Sequence, residues 1–123
     1  MDDRPTRSER KIWPWPDSLD ALIAAPDYHQ LLLENDRVRV LRVRIGPGKL
    51  VPVHTHRWPS VLHVVKESDF IRRDGEGNLE LDTRTVKSPA PSPTMVWLEP
   101  LPPHSVENVG DSEIEIITVE LKD

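Results

Sequence analysis

Apolar and polar residues alternate with a period of two over short stretches of this chain, and turn residues separate the stretches. Val38 to Ile45, Ser60 to Val65, Met95 to Leu98 and Glu113 to Leu121 each read as a strand with an apolar face. His29 to Glu34 reads as a further strand, with Glu34 to Arg37 as the turn after it. Gly46-Pro47-Gly48, Arg57-Trp58-Pro59 and Gly110-Asp111 interrupt the pattern as turns or breaks. Phe70 to Arg73 and Leu79 to Val86 form a hairpin across the Gly-containing stretch Asp74 to Asn78. Ser88 to Pro93 is a Pro-rich, rigid connector. Two strands change parity midway. Val38 and Val40 share one face while Leu41, Val43 and Ile45 share the other; Ile114 and Ile116 are followed by Ile117, Val119 and Leu121. Such a switch predicts a β-bulge or a strand that serves two sheets. One helix is expected, Asp17 to Ala25, capped by Asp17 or Ser18, stopped by Pro26 and packed through Leu19, Leu22 and Ile23. Trp97 is expected in the core.

About eight or nine short strands joined by turns predict an all-β sandwich or barrel with a short N-terminal helix. Residues 17–123 make a single domain, and residues 1–16 an extension, partly disordered, whose Trp13 and Trp15 lie across the domain or reach a partner subunit. The 13 prolines argue against a helical bundle. With no cysteine, disulfides, thiolate metal sites and a Cys nucleophile are excluded. The net charge of −5 comes from 16 basic and 21 acidic residues mixed along the chain, so no basic footprint for nucleic acid exists. The apolar run Ala21 to Ala25 is too short for a membrane span or a signal sequence. A cytoplasmic protein and a symmetric homodimer are the expectations.

The chemistry is concentrated at Gly48-Lys49-Leu50-Val51-Pro52-Val53-His54-Thr55-His56. Two histidines two residues apart on a strand point to the same face, and neutral imidazole is the commonest side-chain metal ligand. A lone His-x-His is a weak signal. His104 stands about fifty residues further on, and only a closed sheet would bring it to the pair. His63 is expected to face away from Ser60 and His29 to be ordinary. Neither Ser60 nor any other residue has a Ser-His-Asp arrangement around it, and no catalytic residue is assigned.

Gly48, His54 and His56, then His104 and Asn108, resemble the two motifs of the cupin superfamily: glycine, five residues, His-x-His; and histidine, three residues, asparagine. The chain departs from the first motif at its glutamate position, which falls on Ser60 or Val61, and at its closing glycine, which falls on Glu67 or Ser68. It departs from the second where Pro100-Leu101-Pro102-Pro103 replaces a glycine turn. The resemblance runs from about Leu33 to Lys122 and is similar to small single-domain bacterial cupins, many without an assigned reaction. It implies a cupin-type jelly-roll barrel with a metal or ligand in its mouth. The implied ligands are His54, His56 and His104, holding a divalent transition metal such as Fe, Mn, Ni or Zn.

Three neutral imidazoles leave the charge of such an ion uncompensated by its ligands. The open positions should therefore prefer a small anionic molecule, with oxygenation, isomerisation or hydrolysis as the reaction types. Ser60, Trp58 and Arg42 are the candidate substrate-binding residues. A thiol dioxygenase with a Cys–Tyr crosslink is excluded by the absence of cysteine. Proton competition predicts that metal occupancy falls below about pH 6. The alternative is a non-catalytic small-ligand-binding barrel with a vestigial or empty metal site.

Overall fold

A computed structural model describes residues 12–86 and 90–122. Residues 1–11, and the start of the Pro-rich connector at residues 87–89, lie outside the described residues. Among these, nine strands form two antiparallel sheets: β1 (His29–Glu34), β2 (Val38–Ile45), β3 (Leu50–His56), β4 (Ser60–Lys66), β5 (Phe70–Asp74), β6 (Leu79–Asp82), β7 (Met95–Leu98), β8 (Leu101–Asn108) and β9 (Ile114–Leu121). One sheet runs in the order β1-β2-β9-β4-β7 and the other β3-β8-β5-β6. Apart from the β1–β2 and β5–β6 pairs, neighbours in both sheets are distant in sequence, as in a jelly roll, and this brings β3 beside β8. No helix among the described residues is long and apolar enough to cross a membrane.

The inward face of β2 carries Arg39, Leu41, Val43 and Ile45, paired in unbroken register with Glu120, Thr118, Ile116 and Ile114 of β9. No bulge separates β2 from β9. The parity switch expected from the sequence is a buried ion pair, Arg39 with Glu120, occupying the inward positions at one end of an otherwise regular ladder. The register shift near these strands lies in β1 instead, between Leu31 and Leu33. Ala25, Ile45, Val51 and Ile114 form the buried core, with Tyr28, Val43, Phe70, Val106 and Ile116 packed around it.

The helix differs from its expectation. Asp17–Leu19 is a 3₁₀ turn and α1 is only Ala21–Ala24. Its cap is Asp20, whose carboxylate accepts from the Leu22 amide at 3.1 Å. The buried contacts are Ala21 and Ala25, whereas Ile23 is 61% exposed. Small alanines let this turn lie close to β3, where Asp20 bridges Thr55. The Leu79–Val86 strand stops at Asp82, because the carboxylate of Asp82 caps a 3₁₀ turn over Thr83–Thr85.

Gly48 closes the β2–β3 turn with φ of +75°, a conformation that favours glycine. Asn108 fixes the same corner. Its side-chain amide donates to the Ile45 carbonyl at 2.9 Å and the Ser112 carbonyl at 2.8 Å, and its carbonyl oxygen accepts from the Gly110 amide at 3.0 Å. Asn108→Ala strands two carbonyls at a buried position and is expected to lower stability by about 3 kcal/mol. A urea titration of the variant checks this; an unchanged midpoint would contradict the structural role.

Candidate metal centre

His54 is placed by two irregularities in the β3–β8 ladder. Val51 pairs with Val106, His54 with His104, and His56 with Leu101, with a register shift on either side of the His54–His104 pair. The shifts coincide with Pro52 in β3 and Pro102-Pro103 in β8. Proline has no N–H to give a ladder, so bulges are where strands accommodate it. Each bulge leaves a proline carbonyl facing the imidazole two residues later. His54 Nδ1 lies 2.8 Å from the Pro52 carbonyl and His104 Nδ1 lies 2.7 Å from the Pro102 carbonyl.

A fourth imidazole joins from β1. His29 pairs with Val43 of β2, which turns it inward, and its Nδ1 lies 2.9 Å from the Ala25 carbonyl at the end of α1. The expectation that His29 is ordinary is therefore wrong. Ring centroids of His54 lie 4.9 Å from His29, 5.0 Å from His56 and 4.4 Å from His104, and His56 lies 5.5 Å from His29 and 5.6 Å from His104. His29, His54 and His56 offer one ligand atom each within 4.8 Å of one another, a group that could hold a metal ion; the expected ligand His104 lies beside His54 but outside that group.

The hydrogen bonds fix the tautomers. A carbonyl oxygen only accepts, so Nδ1 of His29, His54 and His104 carries the proton. His56 Nδ1 lies 3.2 Å from Glu120 Oε2. Hydrogen bonds from His56 and Arg39 hold the Glu120 carboxyl below its usual range against the opposing effect of burial, so His56 also donates from Nδ1. His29, His54 and His104 thus keep an unprotonated Nε2, the atom a metal requires, and His56 offers the same atom when neutral, with the other nitrogen anchored as second-shell contacts anchor it in metalloproteins.

Burial, with smaller contributions from neighbouring imidazoles, pushes His54 down to about 2. Burial likewise takes His29 and His104 down to about 4, with the charge of His56 adding to it. Burial thus favours the neutral form of these three rings below pH 6.

Behind His56 runs a buried chain of charge. Glu120 is fully buried and accepts from Arg39 Nε at 2.5 Å, while Arg39 donates through both other nitrogens to Asp20 at 2.9 and 2.8 Å. Two carboxylates and one guanidinium leave one net negative charge beside the imidazoles. The sequence reading missed Glu120, Arg39 and Asp20 as well as His29. A repeated Pro-x-His, at Pro52-Val53-His54 and Pro102-Pro103-His104, was the local signal available for the carbonyl anchors.

The imidazoles open into a cavity of about 130 Å³, lined mainly by apolar side chains. Ser60 is buried and lines it. Trp58 does not. It borders a separate cavity with Trp13 and Arg39, its ring 5.0 Å from the Arg39 guanidinium. Arg42 lies on the outer face of β2, beside Glu115 at 3.4 Å, because its parity is opposite to that of Leu41 and Val43. His63 is exposed, as expected. Trp97 is 53% exposed on the outer face of β7, its indole N–H bonded to Glu99, and is not a core residue.

No protein-family model matches the chain, and no curated protein sequence matches it. Solved structures do. A cupin domain from Bordetella pertussis Tohama I is 20% identical, with a TM-score of 0.61 over 77% of this chain and 92% of that one. An RmlC-like cupin family protein with a double-stranded β-helix fold from Methanocaldococcus jannaschii is 12% identical, with a TM-score of 0.54 over 76% and 77% of the two chains. The polyketide cyclase RemF from Streptomyces resistomycificus is 18% identical, with a TM-score of 0.50 over 100% of this chain and 81% of that one. Two sheets in jelly-roll order, with His54 and His104 paired across β3 and β8, thus have the architecture of these proteins: the chain has the cupin fold.

Proposed function

We propose that His29, His54, His56 and His104 hold a divalent transition metal, and that the protein is a metal-dependent enzyme acting on a small anionic molecule in the adjoining cavity. The observation that carries this reading is the set of four Nδ1 anchors. Carbonyls of Ala25, Pro52 and Pro102 and the carboxylate of Glu120 each hold one ring so that its Nε2 lone pair is free. Ligand atoms of His29, His54 and His56 within 4.8 Å of one another suit a shared cation, and His104 lies beside His54. A fourth imidazole also takes the site beyond the three ligands that the motifs imply.

A bound divalent ion supplies Lewis acidity, polarising a ligand oxygen or lowering the pKa of water. The chain supplies the rest. Four neutral ligands and one net negative charge behind His56 leave a divalent ion only partly compensated, which favours an anionic ligand. The Ser60 hydroxyl, buried on the cavity wall, can donate to such a ligand or accept from it. The apolar walls limit access of bulk water. That a polyketide cyclase shares the fold supports an enzymatic role by analogy of fold alone.

Elemental analysis of protein purified without a metal-affinity tag tests the proposal. About one transition metal per chain is expected after incubation with zinc, lost in His54→Ala and bound at least tenfold more weakly in His29→Ala. A folded parent protein that takes up no metal would refute it and favour a ligand-binding module. Parental affinity in His29→Ala would return the site to three ligands.

A further inference from the structure

We infer that the ligand is a monocarboxylate with an apolar body, its carboxylate held between the imidazole cluster and Arg72 and its hydrocarbon packed on the barrel wall. This rests on the metal reading above and names the ligand class for that site. Three features of the cavity lead to it.

The first is the wall. Val43, Ile45, Val51, Leu62, Phe70 and Ile116 line the cavity, and its volume of about 130 Å³ suits a small acid of a few carbons rather than a drug-sized ligand. Each methylene moved from water onto such a wall favours binding by a factor of about four. A ligand that is polar throughout would forfeit this and give up its hydration.

The second is Arg72. It lines the cavity from β5, opposite Val106, in a sheet where Asp74 stands opposite His104. Period-two alternation puts Arg72 on the same face as the residue opposite His104, one diagonal step from that ring, within reach of a shared carboxylate. Its Nε is buried and makes no hydrogen bond, with the Glu80 carboxylate 3.4 Å away. Nε thus faces Glu80 rather than the cavity, and what Arg72 brings to the lining is the charge of its guanidinium, for which a carboxylate is the group of matching geometry.

The third is what the remaining lining lacks. Beyond the imidazoles, Arg72 is the cationic side chain of the lining, and the acidic one is Glu99, which is exposed. A second carboxylate on the ligand would find no second cation in the lining, only apolar side chains, the Ser60 and Thr118 hydroxyls and the Glu99 carboxylate. Burying such a charge unpaired is strongly unfavourable. One anionic end and an apolar remainder therefore fit better than a dicarboxylate or a polyhydroxy acid.

Calorimetric titration of tag-free, zinc-loaded protein with acetate, hexanoate, phenylacetate, succinate and hexanol tests this. Hexanoate and phenylacetate are expected to bind at least tenfold more tightly than acetate or succinate, and hexanol at least tenfold more weakly than hexanoate. Arg72→Met is expected to weaken hexanoate about tenfold while zinc stoichiometry stays at one. Acetate or succinate binding as tightly as hexanoate overturns the inference, as does failure of every acid to saturate at millimolar concentration, or an Arg72→Met variant with unchanged hexanoate affinity. A chain that takes up no zinc overturns the metal reading and this inference together, and that is seen before any acid is added; zinc uptake with the wrong order of acids overturns this inference alone.

Discussion

Chelator-treated protein is expected to lose about 4–6 kcal/mol of stability between pH 7 and pH 4, enough to unfold a domain at the low end of the ordinary range of about 5–15 kcal/mol. The source is the imidazole cluster. An unfolded histidine titrates near 6.5, whereas burial takes folded His29 and His104 down to about 4 and His54 to about 2. Between those values the unfolded chain binds more protons than the folded one, so falling pH favours unfolding. Above about 6.5 both states are neutral at these rings and the term vanishes. The loss begins there and continues to about 4, where His29 and His104 protonate in the folded state as well. The three rings face one another, so they do not contribute independently and the total is less than their sum. The Glu120 and Asp20 carboxyls, held low by their Arg39 and His56 partners, withdraw their stabilisation only at still lower pH. Zinc binds the folded state, so saturating zinc should displace the loss to lower pH. Urea denaturation at half-unit intervals of pH, with and without EDTA, measures both curves. A flat profile between pH 6.5 and 4.5 in EDTA would show that the rings are not buried together.

That cluster was only partly legible in the sequence. His54 with His56, and His104 with Asn108, announce themselves by spacing, because each pair lies on one strand. His29 carries no such mark. It stands before the recognisable motifs, and only the pairing of β1 with β2, opposite Val43, turns it inward. The misreading of β2 and β9 has a clear cause. A period-two reading assumes that inward positions are apolar, so the buried Arg39–Glu120 pair looked like a slip of register. The two parity switches, on strands that pair with each other, were one feature seen twice: two oppositely charged residues facing the interior at matching positions. Of the candidate substrate contacts, Ser60 lines the cavity while Trp58 and Arg42 do not. Arg42 was chosen for its charge although its parity with Leu41 already set it outside, while Arg72, with the right parity and strand, attracted no notice. Trp97 was assigned to the core by size, but β7 is an edge strand, and its indole finds an acceptor in Glu99 at the surface.

Glu120→Gln and Glu120→Ala are expected to separate two roles of one carboxylate. Alanine removes the acceptor for both Arg39 Nε and His56 Nδ1 and leaves Arg39 with Asp20 alone. Breaking a buried pair this way should cost about 3–5 kcal/mol. Glutamine keeps the volume but offers one oxygen and one N–H₂ where the carboxylate offered two oxygens. The cationic Arg39 is the stronger claimant for the oxygen, so the N–H₂ faces His56. Nδ1 of His56 must then accept, and the ring's proton moves to Nε2, the atom that faces the cluster. Glutamine should therefore be milder than alanine in urea, yet lower zinc affinity about 10–100-fold, the range typical for loss of a contact that orients a ligating histidine. Competition with a chromogenic chelator gives the affinity and urea the stability. The fixed tautomer is what makes the two readouts diverge. If glutamine bound zinc as the parent does, either His56 would not be a ligand or Glu120 would not set its proton, and the carboxylate would be a structural partner of Arg39 alone.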